Sequence, residues 1–184
     1  MLFTIETDRL KLGILNEGYA SLVLDFHLRN RTYLKPWSAK RGEDYYTLEK
    51  QAVNLHLQSE DFKQGKGLRF HLFKKNHPEK IIGNVGISNI IRGVFWSCHL
   101  GYQIDKEERN QGLMTEALKE VIRYVFEELQ LHRIEANIMP RNLPSIEVVK
   151  KLGFENEGYA KKYLKINDTW EDHYHFVLLN EAVE

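Results

Sequence analysis

Cysteine and long apolar runs are scarce in this chain of 184 residues. The single cysteine, Cys98, excludes a disulfide within the chain and fits a reducing compartment. No run of about 18 apolar residues occurs, so the sequence predicts no transmembrane helix. The N-terminus also lacks the basic start and apolar stretch of a signal peptide. We therefore expect a cytoplasmic protein with no membrane span.

Neither sign of charge is in excess, because 26 Lys and Arg residues balance 26 Asp and Glu residues. This balance does not indicate a nucleic-acid partner or a membrane surface, and we expect neither. The chain length and a hydrophobic content of 42% suffice for one buried core but not for two. We therefore expect a single domain over residues 1–184.

Hydrophobic periodicity predicts strands that arrive in runs, with helices between the runs. The predicted strands cover residues 10–14, 68–74, 80–91, 94–104, 133–139, 157–165 and 170–179. The predicted helices cover residues 17–30, 45–63 and 111–129 and a segment from Pro144 to Gly153. A loop is expected over residues 31–46, and turns at 76–78, 92–93 and 167–168. This order predicts an α+β fold around one mixed sheet.

The segment of residues 94–104 alternates most clearly. Its even positions, which begin with Val94, Trp96 and Cys98, are apolar, whereas its odd positions are mostly small or polar. This alternation is typical of a strand with one buried face. Cys98 is therefore predicted to be a core residue rather than a nucleophile.

The end of this strand is followed by Arg109-Asn-Gln-Gly112 and then by a helical pattern. A helix N-terminus presents unpaired N–H groups and a partial positive charge, and a glycine lets a ligand approach the backbone. These features suit a diphosphate, to which Arg109 would add a fixed charge. An ordinary strand-to-helix turn, whose glycine relieves strain, would show the same residues. The sequence contains neither G-x-x-x-x-G-K-S/T nor a G-x-G-x-x-G fingerprint.

Two motifs resemble the acetyl-CoA motifs of the GNAT N-acetyltransferase family. Arg109-x-x-Gly112-x-Met114 is similar to the family's R/Q-x-x-G-x-A/G, with Met114 in place of a small residue. The segment from Asn142 through Ser145 to Gly-Phe154 is similar to the family's N-x-x-S…K-x-G-F helix. The spacing between the two motifs also fits the family.

Further segments resemble the RimJ/RimL branch of this family, and the similarity covers nearly the whole chain. They are residues 7–12, 31–37, 88–93, 100–102, 111–118, 132–134 and 153–160. The resemblance implies a GNAT-type acyl-CoA N-acyltransferase fold, with one mixed central sheet splayed between its fourth and fifth strands and helices on both faces. It also implies acetyl-CoA as co-substrate and a protein N-terminal α-amine as acceptor, most often the alanine of a ribosomal protein.

The same resemblance places the pantetheine arm of acetyl-CoA on the backbone of the fourth strand, near Gln103 and Ile104. This arrangement adds the co-substrate to a strand edge through main-chain hydrogen bonds. The residues expected to bind acetyl-CoA are Gln103, Ile104, Arg109, Asn110, Gln111, Gly112, Leu113, Met114, Thr115, Asn142 and Ser145.

Acetyl transfer needs a neutral amine and a leaving thiolate that is stabilised or protonated. Some members of the family use a glutamate on the fifth strand and a tyrosine on the next helix, and Asn137 and Val149 stand at those positions here. The catalytic residues expected instead are Ser145, as a donor to the thiolate, and Asn142 beside it. An ordinary helix start, with a serine bonded to its own backbone and an asparagine N-cap, would show the same residues.

An α-amine has a pKa of about 7.7–8.0 and needs little help to lose its proton. Glu135, His99 and Asp172 are candidates for a base, although a surface carboxylate or a hydrogen-bonded sheet histidine would look the same. The residues expected to contact the acceptor are Trp37, Tyr33, His99, Tyr163 and Asp172. His173 and His175 share a strand face but lack a third ligand nearby, so no metal is predicted.

Two other functions are compatible with the sequence. Acetylation of a small amine, such as a polyamine or an aminoglycoside, would need a closed acidic pocket, whereas a peptide needs an open slot. A non-catalytic acyl-CoA-binding module associated with the ribosome would bind the co-substrate without turnover. In each case we expect a monomer or a homodimer.

Overall fold

The computed structural model describes residues 1–183, so residue 184 of the predicted domain lies outside the described residues. None of the described helices is long and apolar enough to cross a bilayer. The strands and α-helices within residues 1–183 are β1 (Phe3–Glu6), β2 (Leu10–Ile14), α1 (Ala20–Leu34), α2 (Leu48–Lys63), β3 (Leu68–Lys74), β4 (His77–Ile91), β5 (Ser97–Ile104), α3 (Leu113–Glu127), β6 (Arg133–Ile138), α4 (Leu143–Lys151), β7 (Glu155–Ile166) and β8 (Thr169–Leu179).

The strands form one mixed sheet in the order β1-β2-β3-β4-β5-β6-β8-β7. Each neighbouring pair is antiparallel except β5 and β6, which are parallel. A parallel pair needs a long crossover connection, and the segment that contains α3 provides it. The predicted α+β class with one mixed sheet is therefore confirmed.

β5 and β6 pair only at their first residues, where Ser97–His99 lie opposite Arg133–Glu135. β5 continues to Ile104 and stays paired with β4 along that length, but within residues 1–183 it does not pair with β6 beyond His99. One backbone edge of residues 100–104 therefore faces a gap. This gap confirms the predicted splay between the fourth and fifth strands. Those two strands are β5 and β6 in the structure, because β1 was not predicted and shifts the numbering by one.

Helices cover both faces of the sheet, as predicted. α3 and α4 pack on one face over the larger core, which includes Leu12, Phe70 and Val121. α1 and α2 pack on the opposite face over a smaller core, which includes Phe26 and Leu55. Full burial of one such side chain stabilises the fold by about 1.5–3 kcal/mol, so both helical layers are fixed to the sheet.

Several predicted boundaries were wrong. β1 was not predicted, because the alternation of Phe3 and Ile5 with polar residues is only four residues long. α1 continues to Leu34, where a loop was expected, because Leu34 is buried in the smaller core. α2 begins at Leu48, where the Thr47 hydroxyl accepts the N–H of Lys50. The turn before β4 lies at residues 75–76 rather than 76–78.

The predicted start of the strand at residue 94 was also wrong. β5 begins at Ser97, and Val94 is 95% exposed in the connection from β4. Gly93 and Trp96 both have positive φ angles, 73° and 44°, so the backbone turns twice before the strand begins. Only the part of the apolar alternation from Cys98 onward therefore faces the core, where Cys98 is fully buried as predicted.

Candidate functional site

The N-terminus of α3 is open to a ligand. Gly112 is the N-cap and has a φ angle of +75°, a left-handed conformation that favours glycine. The backbone N–H groups of Leu113, Met114 and Thr115 have no acceptor among residues 1–183. A Cβ on Gly112 would meet only the side chain of Arg9, at 3.6 Å. These free amides, together with the helix dipole, form an anion site.

Met114 stands where the family motif has a small residue. Its side chain is only 7% exposed and belongs to the larger core under α3. The side chain therefore points away from the helix tip. The core therefore accommodates the larger side chain at the position where the motif has a small residue.

The rest of this turn is held by local contacts. The Nε atom of Arg109 donates to the carbonyl oxygen of Lys106 at 2.9 Å, and its guanidinium lies 5.1 Å above the ring of Tyr33. Asn110 adopts a positive φ of 60°, and the side chain of Gln111 donates to the Glu108 carboxylate at 3.2 Å. These contacts place Arg109 and Tyr33 together beside the turn.

The loop between β5 and α3 is anchored by α1. Asp105 is buried, ion-pairs with Arg29 and accepts the N–H of Glu107 at 3.0 Å. Asn30 accepts the N–H of Lys106 at 3.0 Å. Burial acts to raise the pKa of Asp105, but the Glu107 N–H, Asn30 and Arg29 outweigh it and lower the pKa overall. The ionised Asp105 therefore fixes the loop that leads to the helix tip.

A second anchor joins the first turn of α3 to the corner between β1 and β2. The Glu116 carboxylate accepts hydrogen bonds from the Thr7 hydroxyl at 2.5 Å, from the Arg9 N–H at 2.9 Å and from Arg9 Nε at 2.6 Å. Arg9 also donates to the carbonyl oxygen of Gln111 at 2.9 Å. The sequence segment from Thr7 to Arg9 therefore supports the helix tip, a role that the sequence alone did not reveal.

Ser145 and Tyr102 meet across the gap beside β5. The Ser145 hydroxyl donates to the Tyr102 hydroxyl at 2.7 Å, and the Tyr102 hydroxyl donates to the carbonyl oxygen of Ser145 at 3.0 Å. Burial raises the pKa of Tyr102 to about 12, so the phenol stays protonated at neutral pH. Tyr102 was not among the predicted site residues, although it lies in a segment that resembles the family.

Asn142 precedes α4 at the N-cap position, but its side chain makes no capping hydrogen bond. The amide is half-buried, and no hydrogen bond from it is found within residues 1–183, so it is available to a ligand. Val149 is buried in the larger core and carries no polar group. Asn137 lies on β6 with a buried Oδ1 atom that has no partner in the described part of the chain.

The odd-numbered residues of β5 lie on the face covered by α1 and α2. Gln103 donates to the Ser38 hydroxyl at 3.2 Å. His99 contacts the side chain of Asn89 at 3.1 Å and the Glu135 carboxylate at 3.7 Å. His99 is therefore a hydrogen-bonded sheet histidine. Gly101 lies between these residues, and a Cβ there would meet no atom within 4 Å.

Trp37 lies in the loop after α1 and is tied to the start of α4. The guanidinium of Arg141 lies 4.9 Å above the Trp37 ring and donates to the carbonyl oxygen of Pro36 at 3.2 Å. Arg141 also ion-pairs with Glu171 on β8 at 2.7 Å. One arginine, which the sequence did not single out, therefore connects this loop, α4 and β8.

Tyr163 and Asp172 do not lie together. The Tyr163 ring contacts His175 at 4.8 Å and His173 at 5.8 Å between centroids. Asp172 accepts the hydroxyl of Tyr159 and, at 2.7 Å, the N–H of Lys162, so it stabilises the irregularity in β7. Successive residues of a strand alternate between faces, so Asp172 lies on the opposite side of β8 from the two histidines. Within residues 1–183, no three metal-binding side chains converge.

An open groove of about 390 Å³ lies between α1, the loop that follows it and the β7–β8 turn. Its cations include Lys35 and Arg41, and its two acids are already paired, Glu43 with Arg31 and Asp168 with Lys40. We call this cavity the loop groove. It lies on the same side of the sheet as Gln103, because Ser38 both lines the groove and bonds Gln103.

The structure thus sorts the predicted residues into three places. The helix tip and the β5 edge bring together the residues predicted to bind acetyl-CoA, with Ser145 and Asn142 across the gap. Trp37, His99 and Tyr163 lie on the face that carries the loop groove, and Asp172 is separate. Tyr33 lies against Arg109.

Comparison with known proteins agrees with this geometry. Residues 17–155 match the family described as "Acetyltransferase (GNAT) domain". The ribosomal protein uS5-alanine N-acetyltransferase of Escherichia coli (strain K12) is 41% identical over 169 residues, which are 92% of this chain and 87% of that protein.

Solved structures show the same relationship. The ribosomal-protein-S5-alanine acetyltransferase from Vibrio fischeri is 36% identical and covers 99% of both chains, with a TM-score of 0.93. Mycobacterium smegmatis RimJ in complex with CoA-disulfide is 25% identical and covers 95% of this chain and 83% of that chain, with a TM-score of 0.88. The chain therefore belongs to the GNAT family of N-acetyltransferases.

Proposed function

We propose that this protein transfers the acetyl group of acetyl-CoA to the N-terminal α-amine of a protein, namely a ribosomal protein that begins with alanine. The observation that carries the proposal is the unpaired β5 edge at residues 100–104, which runs from the Ser145 hydroxyl towards the free amides after Gly112. The names of the relatives from E. coli and V. fischeri support the choice of acceptor.

The residues present fit acetyl-CoA, which supplies the activated acetyl group when bound. The free N–H groups at the tip of α3 would hold its diphosphate, and Arg109 stands beside them. The open backbone edge at Gln103 and Ile104 would hold the pantetheine arm, with the free amide of Asn142 opposite. Main-chain N–H donors would therefore provide the anion site, so the diphosphate would need no metal ion.

The Ser145 hydroxyl would donate a hydrogen bond to the departing thiolate, and the proton that the attacking nitrogen loses on forming the amide would complete the CoA thiol. To do so it must turn away from Tyr102, and the protonated Tyr102 phenol can then donate to the Ser145 Oγ atom in place of the carbonyl oxygen. Tyr102 would thereby orient the serine. The two hydroxyls would stay hydrogen-bonded to each other, with Tyr102 as the donor. Loss of one donor that stabilises developing negative charge costs about 10²–10³-fold in rate.

Deprotonation of the acceptor needs no strong base in this proposal. With a pKa of about 7.7–8.0, roughly a tenth of an α-amine is neutral at pH 7. Glu135 is ion-paired with Arg133 at 2.8 Å and lies 3.7 Å from His99, and Asp172 is engaged in β7. The amine would therefore attack directly within a ternary complex, after losing its proton to solvent.

Charge in the loop groove favours a peptide over a polyamine or an aminoglycoside. A polycation would need unpaired acids, yet Glu43 and Asp168 are each paired, while Lys35 and Arg41 add positive charge. The groove is also open, as a peptide requires. The cytoplasmic location, the absence of a metal or nucleic-acid partner, and the monomeric or homodimeric state stay predictions.

Purified protein with acetyl-CoA tests the proposal directly. We expect a peptide that begins with a free alanine to gain one acetyl group by mass spectrometry, and its N-terminally blocked copy to gain none. Spermidine and an aminoglycoside should stay unmodified. The Ser145→Ala variant should bind acetyl-CoA with unchanged affinity but turn over at least about a hundredfold more slowly. Absence of CoA release with any N-terminal peptide would favour the non-catalytic module.

A further inference from the structure

A second cavity of about 240 Å³ lies between α1, α2 and the strands β3 and β4. We call it the polar cavity and define it by the side chains of His27, Arg41, Gln58, Arg69, His71 and Asn84. None of the predicted site residues lines it, and the chemistry proposed above does not use it.

The charges in the polar cavity are all positive. Arg41 and Arg69 both line it, and among the described residues no aspartate or glutamate does. Within residues 1–183 neither arginine forms an ion pair: Arg69 donates to Asn84 at 2.8 Å, and Arg41 lies 4.0 Å above the Tyr45 ring. Burial lowers the pKa of Arg69, and nearby Arg41 lowers it further. Burying a cation without a counter-ion is costly, so the cavity favours an anion.

Two buried polar atoms in this cavity also lack hydrogen-bond partners within the described chain. They are Nδ1 of His71 and Oε1 of Gln58, and His71 is only 3% exposed. Burial lowers the pKa of His71 and of His27 to about 3, so both rings are neutral and supply no fixed charge. Buried polar atoms are nearly always paired in folded proteins. Their unpaired state here points to a polar ligand.

The polar cavity is continuous with the loop groove, and we call the face of the sheet that carries both the acceptor side. It shares His27 and Arg41 with the loop groove. Asn84 at its floor donates to Gln103 at 3.4 Å, and Gln103 donates to Ser38 at 3.2 Å. β3 lies two strand spacings from β5, or about 10 Å. An extended peptide advances about 3.3 Å per residue, so a chain whose amine lies at the β5 gap reaches the cavity near its third or fourth residue.

We propose that the polar cavity binds a carboxylate of the acceptor, the acidic side chain of the third or fourth residue of the peptide. Arg69 and Arg41 supply the counter-charges, and His71 supplies a further hydrogen-bonding group. This inference rests on the proposed function and adds a preference to it: the enzyme selects N-termini that carry an acidic residue shortly after the acetylated amine.

Matched peptides test the preference. Every peptide begins with alanine. One set carries a single glutamate at one of positions two to six, and the other set carries glutamine at the same position. We expect kcat/KM to be about tenfold to a hundredfold higher with glutamate at position three or four, the value of a hydrogen bond to a charged group. Arg69→Gln should abolish this preference, so that kcat/KM becomes equal for the glutamate and glutamine peptides. Arg123→Gln, an exposed arginine on α3, is the matched control and should keep the preference.

A competition experiment tests whether free anions occupy the same cavity as the carboxylate of the acceptor peptide. Sulfate and glutarate should raise the KM of the glutamate peptide but not of the glutamine peptide, and the effect should disappear in Arg69→Gln. Equal kcat/KM for all peptides would overturn the inference while leaving the proposed function intact. Acetylation of no peptide at all would instead contradict the proposed function. If Arg69→Gln fails to fold, Arg41→Gln carries the same test.

Discussion

Replacing Glu116 with glutamine would weaken the anchor of the helix tip. The carboxylate accepts three hydrogen bonds, from the Thr7 hydroxyl and from the backbone and side chain of Arg9. Glutamine keeps one oxygen but turns the other acceptor into an N–H₂ group that faces a donor. A hydrogen bond to a charged group contributes about 1.5–3 kcal/mol to stability. The Arg9 side chain is half-exposed, so solvent screening reduces the contribution of its bond to Glu116. We expect Glu116→Gln to lower the free energy of unfolding by about 1–2 kcal/mol, which lowers Tm by about 2–8 °C.

This loss should depend on pH in a defined direction. Burial acts to raise the pKa of Glu116, but the hydrogen bonds from Thr7 and Arg9 lower it overall in the folded protein. A lowered carboxyl pKa stabilises the fold above the ordinary glutamate value of about 4.3 and stops doing so as the pH falls through the folded value. Glutamine does not titrate, so the Tm difference between wild type and Glu116→Gln should shrink below about pH 4.

Thermal unfolding from pH 3 to pH 8 measures this prediction, with Glu120→Gln as control. Glu120 also lies on α3 and pairs with an arginine, but its partner Arg123 is on the surface, so its replacement should change stability by less than about 0.5 kcal/mol. Equal effects of the two substitutions at pH 7, or a Glu116→Gln difference that does not change with pH, would refute the reasoning.

Three further predictions concern the gap and the core. Tyr102→Phe should lower kcat about tenfold at unchanged acetyl-CoA affinity, because Ser145 loses its orienting hydroxyl; an unchanged kcat in steady-state kinetics would contradict this. Gly101→Ala should stabilise the strand by about 0.5–1 kcal/mol while raising the KM for the peptide, because the new Cβ projects into open space on the acceptor side; denaturant unfolding and kinetics check both effects. Cys98 should resist iodoacetamide in native protein at pH 8, because it is buried and burial raises its pKa to about 12; rapid labelling would show an open core.

Local patterns predicted much of the fold. α3 has apolar residues at helical spacing, so its type and position follow from the sequence. Asn167 and Asp168 have φ angles of 44° and 70°, which these residue types tolerate, and the predicted hairpin turn lies there. Gly112 was singled out because a glycine lets a ligand approach the backbone, and the structure adds that its left-handed φ favours glycine.

Contacts between distant segments could not be predicted in this way. Tyr102 meets Ser145 only because β5 and β6 separate, and the separation depends on pairing that no local pattern encodes. Arg41 and Arg69 share a cavity because the loop between α1 and α2 approaches β3 in the folded chain. The apolar alternation wrongly predicted that the strand begins at Val94, because two residues with positive φ turn the chain before β5 begins.

Titration calorimetry with acetyl-CoA tests the central claim most directly, that the amides after Gly112 bind the diphosphate. The informative variant is Gly112→Asp, because aspartate is a favourable helix N-cap and tolerates a positive φ, yet its charge would repel a phosphate. We predict saturable heat with one site in the wild-type protein and at least tenfold weaker binding in a variant that remains folded. No saturable heat in the wild type, or equal affinity in the two proteins, would contradict the account.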